Sequence, residues 1–158
     1  MITWLTSTYV GQLIATFFIA MVPVIELRGA VPIGVGMGLE PLTALIVSII
    51  GNMVPVPFIV FFIEKIFDWM RRFDKFRRIV EKMEEKAAKH EETLNRYKSF
   101  GLFLLVAIPL PGTGAWTGSL VAALFKFPVK KAFVIIFLGV IAAGTVVFLI
   151  TYGVVLVV

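Results

Sequence analysis

Residues 18–42, FIAMVPVIELRGAVPIGVGMGLEPL, and residues 104–129, LLVAIPLPGTGAWTGSLVAALFKFPV, are two versions of one pattern. Each has an apolar half, a break rich in proline and glycine, a second half of small residues, and a proline ahead of a long apolar stretch. Pro23 pairs with Pro109 at an offset of 86 and Pro41 with Pro128 at 87, so one insertion aligns them. Proline removes a backbone donor and glycine favours non-helical conformations, so PLPGTG (109–114) should interrupt a helix. Only about ten apolar residues separate Lys98 from Pro109, too few to cross a hydrocarbon core of roughly 30 Å. Each break therefore reads as the tip of a re-entrant hairpin that enters and leaves by the same membrane face. Irregular backbone at such depth is tolerated only against protein or a watery cavity.

Working outward, the expected fold is an all-α integral membrane domain of two inverted repeats joined by an amphipathic cytoplasmic helix. Repeat 1 takes residues 1–63, with a re-entrant hairpin over about 9–39 and a transmembrane helix over 41–63. A charged linker occupies 64–98. Repeat 2 takes 99–158, with a hairpin over about 99–125 and a transmembrane helix over 132–155. A hairpin returns to its own side and the long helix after it crosses once, so the second repeat starts on the opposite side and is inverted. Basic residues favour the cytoplasmic side. Placing the linker there also puts Lys126, Lys130 and Lys131 there and leaves both termini extracytoplasmic, as in the cytoplasmic membrane of a cell. A fully crossing 99–125 would put those three lysines outside.

Composition agrees with a bilayer as the solvent. The 158 residues are 59% hydrophobic and only 16% charged, with a mean hydropathy of +0.99. Soluble domains carry about a quarter charged residues, and a chain this short cannot hide so much apolar surface in one core. The start, MITWLTSTYV, lacks a basic segment and does not read as a cleavable signal. The net charge of +5 does not imply nucleic acid, because eleven of fifteen Lys/Arg and eight of ten Asp/Glu lie together between Glu64 and Lys98. That is a mixed-charge helix face. No cysteine is present, which excludes disulfides, thiolate metal sites and a cysteine nucleophile. The one histidine, His90, lies in the linker, and no cofactor or metal is expected.

Within the linker, Phe73, Phe76, Val80, Met83, Ala87, His90, Leu94 and Tyr97 recur at three-four spacing. This predicts an amphipathic helix lying along the headgroups, with a projecting coiled coil or a bent helical hairpin as the other readings.

Candidate chemistry concentrates at the two breaks. Glu26 and Arg28 are the ionisable residues of the first, and a charge at mid-membrane needs a partner or water. Glu26 could take up and release a proton. Arg28, a planar fork, suits an anionic group such as phosphate. A structural alternative is that the two pin the tip, with PLPGTG carbonyls as partners. Pro32, which closes the E-x-R-G-x-x-P pattern, is counted with these two as a candidate binding residue. In the second break Pro111, Gly112, Thr113, Trp116 and Thr117 flank a helix start whose free N–H groups could cradle an anion. Gly34/Gly38 and Gly114/Gly118 have GxxxG spacing and also read as close-packing positions. Asn52, mid-span, is either interhelical glue or a ligand, Pro55 and Pro57 should kink their helix, and Trp4 and Tyr9 read as interface anchors.

PVIELRGAVPIGVGMGL and AIPLPGTGAWTGSLVAALF together resemble the small multidrug export proteins, over nearly the whole chain. That family is similar to the DedA/VTT superfamily, for which the resemblance implies two inverted re-entrant repeats and lipid translocation, including recycling of polyprenyl phosphate carriers. Proton-coupled drug resistance is also associated with it. By motif position Glu26 corresponds to the acidic residue of the first re-entrant element. DedA-type proteins carry arginines in the second, whereas PLPGTGAWTG has none.

The expected function is a small DedA-like transporter of a lipid-like or polyprenyl-phosphate anion, with Glu26 coupling protons and Arg28 contacting the headgroup. Its expected partners are membrane lipid and that amphipathic substrate, and homodimerisation is left open. Proton-coupled efflux of small molecules or drugs, with Glu26 binding the cation, is the alternative, and a non-transporting membrane scaffold is a third. No nucleophile–base pair indicates an enzyme.

Overall fold

A computed structural model describes residues 7–70, 91–110 and 112–157 of the chain. Among them the structure is all-α. In chain order the helices are α1 (Tyr9–Met21), α2 (Glu26–Gly36), α3 (Pro41–Met53), α4 (Pro55–Met70), α5 (Glu91–Ala107), α6 (Ala115–Leu124) and α7 (Val129–Val157). Most of the amphipathic linker stripe, and Trp4, lie outside the described residues.

Among the described residues two stretches are long and apolar enough to cross a membrane, Pro41–Ile63 and Val129–Val154. The first is divided at Val54, where Pro55 supplies no N–H and the Val54 N–H reaches back only to the Gly51 carbonyl at 3.4 Å. The helices around the breaks are shorter. At 1.5 Å per residue α1, α2 and α6 extend only about 15–20 Å.

Local chemistry fixes where they start and stop. The Thr8 hydroxyl caps α1 by accepting the Gly11 N–H at 3.2 Å. α1 ends before Pro23, which cannot donate to the preceding turn. α2 accommodates Pro32 on an exposed face, and the Arg28 carbonyl four residues earlier loses its usual helical donor.

The two units repeat in detail. At the end of α2 the Leu39 N–H bonds to the Gly34 carbonyl and the Gly38 N–H to that of Val35. At the end of α6 the Phe127 N–H bonds to Ala122 and the Lys126 N–H to Ala123. Gly38 (φ +110°) and Lys126 (φ +51°) both turn left-handed at this step. These pairs are 88 positions apart, and the following helices begin at Pro41 and Val129, also 88 apart. Pro128 thus aligns with Glu40, a shift of one from the Pro41–Pro128 pairing suggested by sequence. Burial follows the same offset: Leu27/Ala115, Ala30/Gly118, Val31/Ser119, Gly34/Ala122, Ala44/Ala132 and Gly51/Gly139 are all buried.

Close contact holds each unit together. A side chain at Gly51 would run into the Phe17 carbonyl, and one at Gly139 would lie 2.7 Å from Val106 Cβ and 3.2 Å from the Phe103 carbonyl. The interior is rich in small residues such as Ala20, Ala30, Ala44, Ala122, Ala132 and Ala143, while Ile46, Ile50, Phe58, Val134, Leu138, Leu149 and Ile150 point outward. In lipid, burial of apolar groups is no driving force between helices, so cohesion comes from such packing and from hydrogen bonds.

α3 and α4 run antiparallel to α7. A side chain at Gly144 would approach Leu45 and Ile49, whereas Met53 and Phe58 share a groove with Phe133 and Phe137. Ile63 and Val129 therefore lie toward the same end of the bundle, together with Lys65, Lys130 and Lys131.

Candidate functional site

The two breaks meet. Glu26 opens α2 from a left-handed backbone (φ +48°) and is only 4% exposed. Its carboxylate turns away from its own helix toward the start of α6, where Oε1 accepts the Trp116 N–H at 3.0 Å. A helix start has unpaired N–H groups and a positive dipole end, so an anion there is doubly favoured. Gly114, at the cap position of α6, has φ +130°. A side chain on it would collide with the Glu26 carboxylate. Glycine is thus required twice over, by conformation and by space.

Arg28 reaches the same break from two residues further along the first turn of α2. Its Nη1 donates to the Leu110 carbonyl and its Nη2 to Thr113 Oγ1 at 2.9 Å. Thr113 Oγ1 in turn donates within its own loop, where the Ile108 and Leu110 carbonyls each lie 2.8 Å away. Thr117 Oγ1 donates to the Gly112 carbonyl at 2.9 Å. The reverse connection comes from Trp116, whose indole Nε1 donates to the Met21 carbonyl at 3.1 Å. Met21 ends α1, so the indole satisfies a carbonyl that the helix leaves free.

Of the residues expected from sequence, Glu26, Arg28, Gly112, Thr113, Trp116 and Thr117 come together here. Pro32 lies further along α2 on an exposed face and Pro111 falls outside the described residues. Asn52 is fully buried in α3, yet neither its Oδ1 nor its Nδ2 has a hydrogen-bond partner, so its amide does not tie helices together. Glu26 and Arg28 each hydrogen-bond to the second unit and also attract each other electrostatically.

Gly114 and the Met21 carbonyl belong to the site but were not singled out as functional by sequence, whereas the Leu110 carbonyl that Arg28 takes is one of the PLPGTG carbonyls expected as partners. The GxxxG spacing suggested packing for all four glycines. Gly34 and Gly118 do pack closely, with a side chain falling 2.8 Å from Thr16 Oγ1 and 2.5 Å from Val106 Cγ2 respectively. Gly38 and Gly114 instead serve the left-handed turns at helix ends. A glycine just before a run of helix-forming residues was the available signal. Among the described residues no cluster of His, Cys, Asp or Glu could hold a metal ion.

The chain matches the family of small multi-drug export proteins over residues 26–146, and it belongs to that family. No curated protein and no solved structure matches it. With two helices among the described residues long and apolar enough to span a bilayer, it is a small helical membrane transporter of the multidrug-export type.

Proposed function

We propose that the chain exports amphipathic small molecules by alternating access, with Glu26 as a proton-coupling carboxylate at the contact of two inverted re-entrant repeats. The linker end, with Lys65, Lys130 and Lys131, faces the cytoplasm by the distribution of positive charge, and the termini lie outside. The observation that carries the reading is the hydrogen bond from the Trp116 N–H to Glu26. A charged acceptor on a backbone donor forms a stronger bond than a neutral one, and the ionised carboxylate also meets the positive end of α6. Proton uptake removes both contributions, so the two breaks separate and the path between them opens. Loss of the proton restores the lock.

This reading departs from an anionic lipid as the first choice of substrate. Both terminal nitrogens of Arg28 are engaged by the second break, so its fork is not free for a phosphate in this state. One observation favours the lipid-like or polyprenyl-phosphate anion as a second reading: Arg28 Nε is buried without a partner, a donor that an oxyanion could take. Release of the break by proton uptake would free the rest of the guanidinium.

Transport of ethidium in proteoliposomes under an imposed pH gradient tests the first reading. Glu26→Gln keeps size and should abolish pH-driven movement, while Glu26→Asp keeps titration and should retain part of it. Gradient-driven transport at the native rate by Glu26→Gln refutes the coupling. A fluorescent polyprenyl phosphate in the same vesicles tests the second reading. Arg28→Lys should then slow translocation markedly, because the point charge lacks the planar fork.

A further inference from the structure

Ser48 and Asn52 stand one turn apart on α3, and both are fully buried. Ser48 Oγ, Asn52 Oδ1 and Asn52 Nδ2 have no hydrogen-bond partner in the protein. Buried polar atoms left unmatched by protein are characteristically satisfied by ordered water, which needs two to four such partners. Packing does not call for polarity here. The equivalent places in the second unit, 88 positions on, are Ile136 and Val140, both fully buried.

Their depth connects them to the site. A side chain on Gly34 would sit 3.2 Å from Ala44 Cβ, so these positions face each other across the antiparallel pair α2 and α3. Eight residues from Gly34 toward the break is Glu26, and eight onward from Ala44 is Asn52. Equal rise in both helices, about 12 Å over eight residues, brings the two to one level. Gly51 abuts Phe17 and Ala20 near the end of α1, at that same level.

We propose that Ser48 and Asn52 hold bound water inside the first unit, through which protons reach and leave Glu26. An excess proton arriving on the water leaves as a different proton to the Glu26 carboxylate, so the water is regenerated. The hydroxyl and the amide each offer donor and acceptor, which lets them orient that water in either direction of transfer. Arg28 is the charged neighbour of Glu26 on α2. The helices packed on α2 carry only Tyr9 (α1), and Lys130, Lys131 and Tyr152 (α7), near their ends; α3 and α6 carry no ionisable side chain.

The inference rests on Glu26 being the coupling carboxylate, and infrared spectroscopy of the full chain in liposomes separates the two. After a pH jump the Glu26 carboxyl band is followed, identified by its loss in Glu26→Gln. Ser48→Ile/Asn52→Val, which copies the second unit, should slow its protonation at least tenfold with no fall in melting temperature, and Asn52→Ser should keep a near-native rate. If the larger pair does not fold, Ser48→Ala/Asn52→Ala takes its place with the same expectation. A titrating Glu26 whose rate is unchanged in these variants overturns the water path alone. Slowing that comes with a lower melting temperature and is not spared in Asn52→Ser also overturns it. A chain in which no band disappears with Glu26→Gln overturns the coupling role and the path together.

Discussion

The Glu26 carboxylate fills the space where Gly114 would carry a side chain, and these two residues hold equivalent places 88 positions apart in the two units. One position near the contact of the two breaks can bear a side chain only because its counterpart bears none. Gly114→Ala should therefore be far more damaging than its size suggests. The left-handed backbone alone costs about 1–2 kcal/mol for a residue with Cβ, and displacement of Glu26 adds to it. Thermal unfolding of Gly114→Ala and Gly114→Ala/Glu26→Ala checks this. The loss on adding alanine should shrink when Glu26 is already absent, and equal losses in both backgrounds would contradict the contact.

Arg28 and Glu26 hydrogen-bond to different groups of the second break, but they stand two residues apart and attract each other electrostatically, so their effects should couple. Arg28→Gln removes donors to the Leu110 carbonyl and Thr113, worth about 1.5–3 kcal/mol for a charged hydrogen bond. A double-mutant cycle with Glu26→Gln should give a coupling energy of at least about 0.5 kcal/mol, because neutralising either charge already removes their attraction. Strictly additive losses would show that the two charges act independently.

The main features legible in sequence were those with a backbone cause. Proline without a donor and glycine at the breaks located the ends of α1 and α5 and the division of the first span at Val54. Charge scarcity and apolar length located the two long helices. The register of the repeats was misjudged by one residue, because Pro128 reads like Pro41 although it precedes its helix where Pro41 begins one. The site was half legible. Glu26 and Arg28 stand out as charges in an apolar stretch, and the PLPGTG carbonyls and helix-start N–H groups are legible as a class, but the choice of the Trp116 N–H and the Leu110 carbonyl is not, because backbone groups are alike at every residue. Gly114 was hidden by its neighbour Gly118, since equal spacing concealed two separate reasons for glycine.

Val24 sits at the tip of the first break, 94% exposed, with φ +79°. A β-branched residue is strained there, and no packing compensates for it. Val24→Gly should raise stability by about 1 kcal/mol, after allowing for the larger backbone freedom of glycine when unfolded. Chemical denaturation in detergent measures it. A loss of stability would mean that the tip side chain makes contacts with lipid or protein that matter.

Antiparallel α4 and α7 put Lys65 and Lys130 on one side of the membrane. Single cysteines in this cysteine-free chain report it directly. Replacements of Lys65 and Lys130 should react with an impermeant thiol reagent from the same side, and a replacement of Glu40 from the other. Labelling of position 130 together with position 40 would contradict the arrangement of the spans.

The central claim is that the charge on Glu26 holds the two breaks together. Electron–electron distance measurements between spin labels at Val24 and Ile108, both exposed, test it without knowledge of the substrate. The account predicts a single short distance in alkaline buffer, a shift to longer distances in mild acid, and the long distances at both values in Glu26→Gln. One unchanged distance distribution in acid, in alkali and in Glu26→Gln would contradict it.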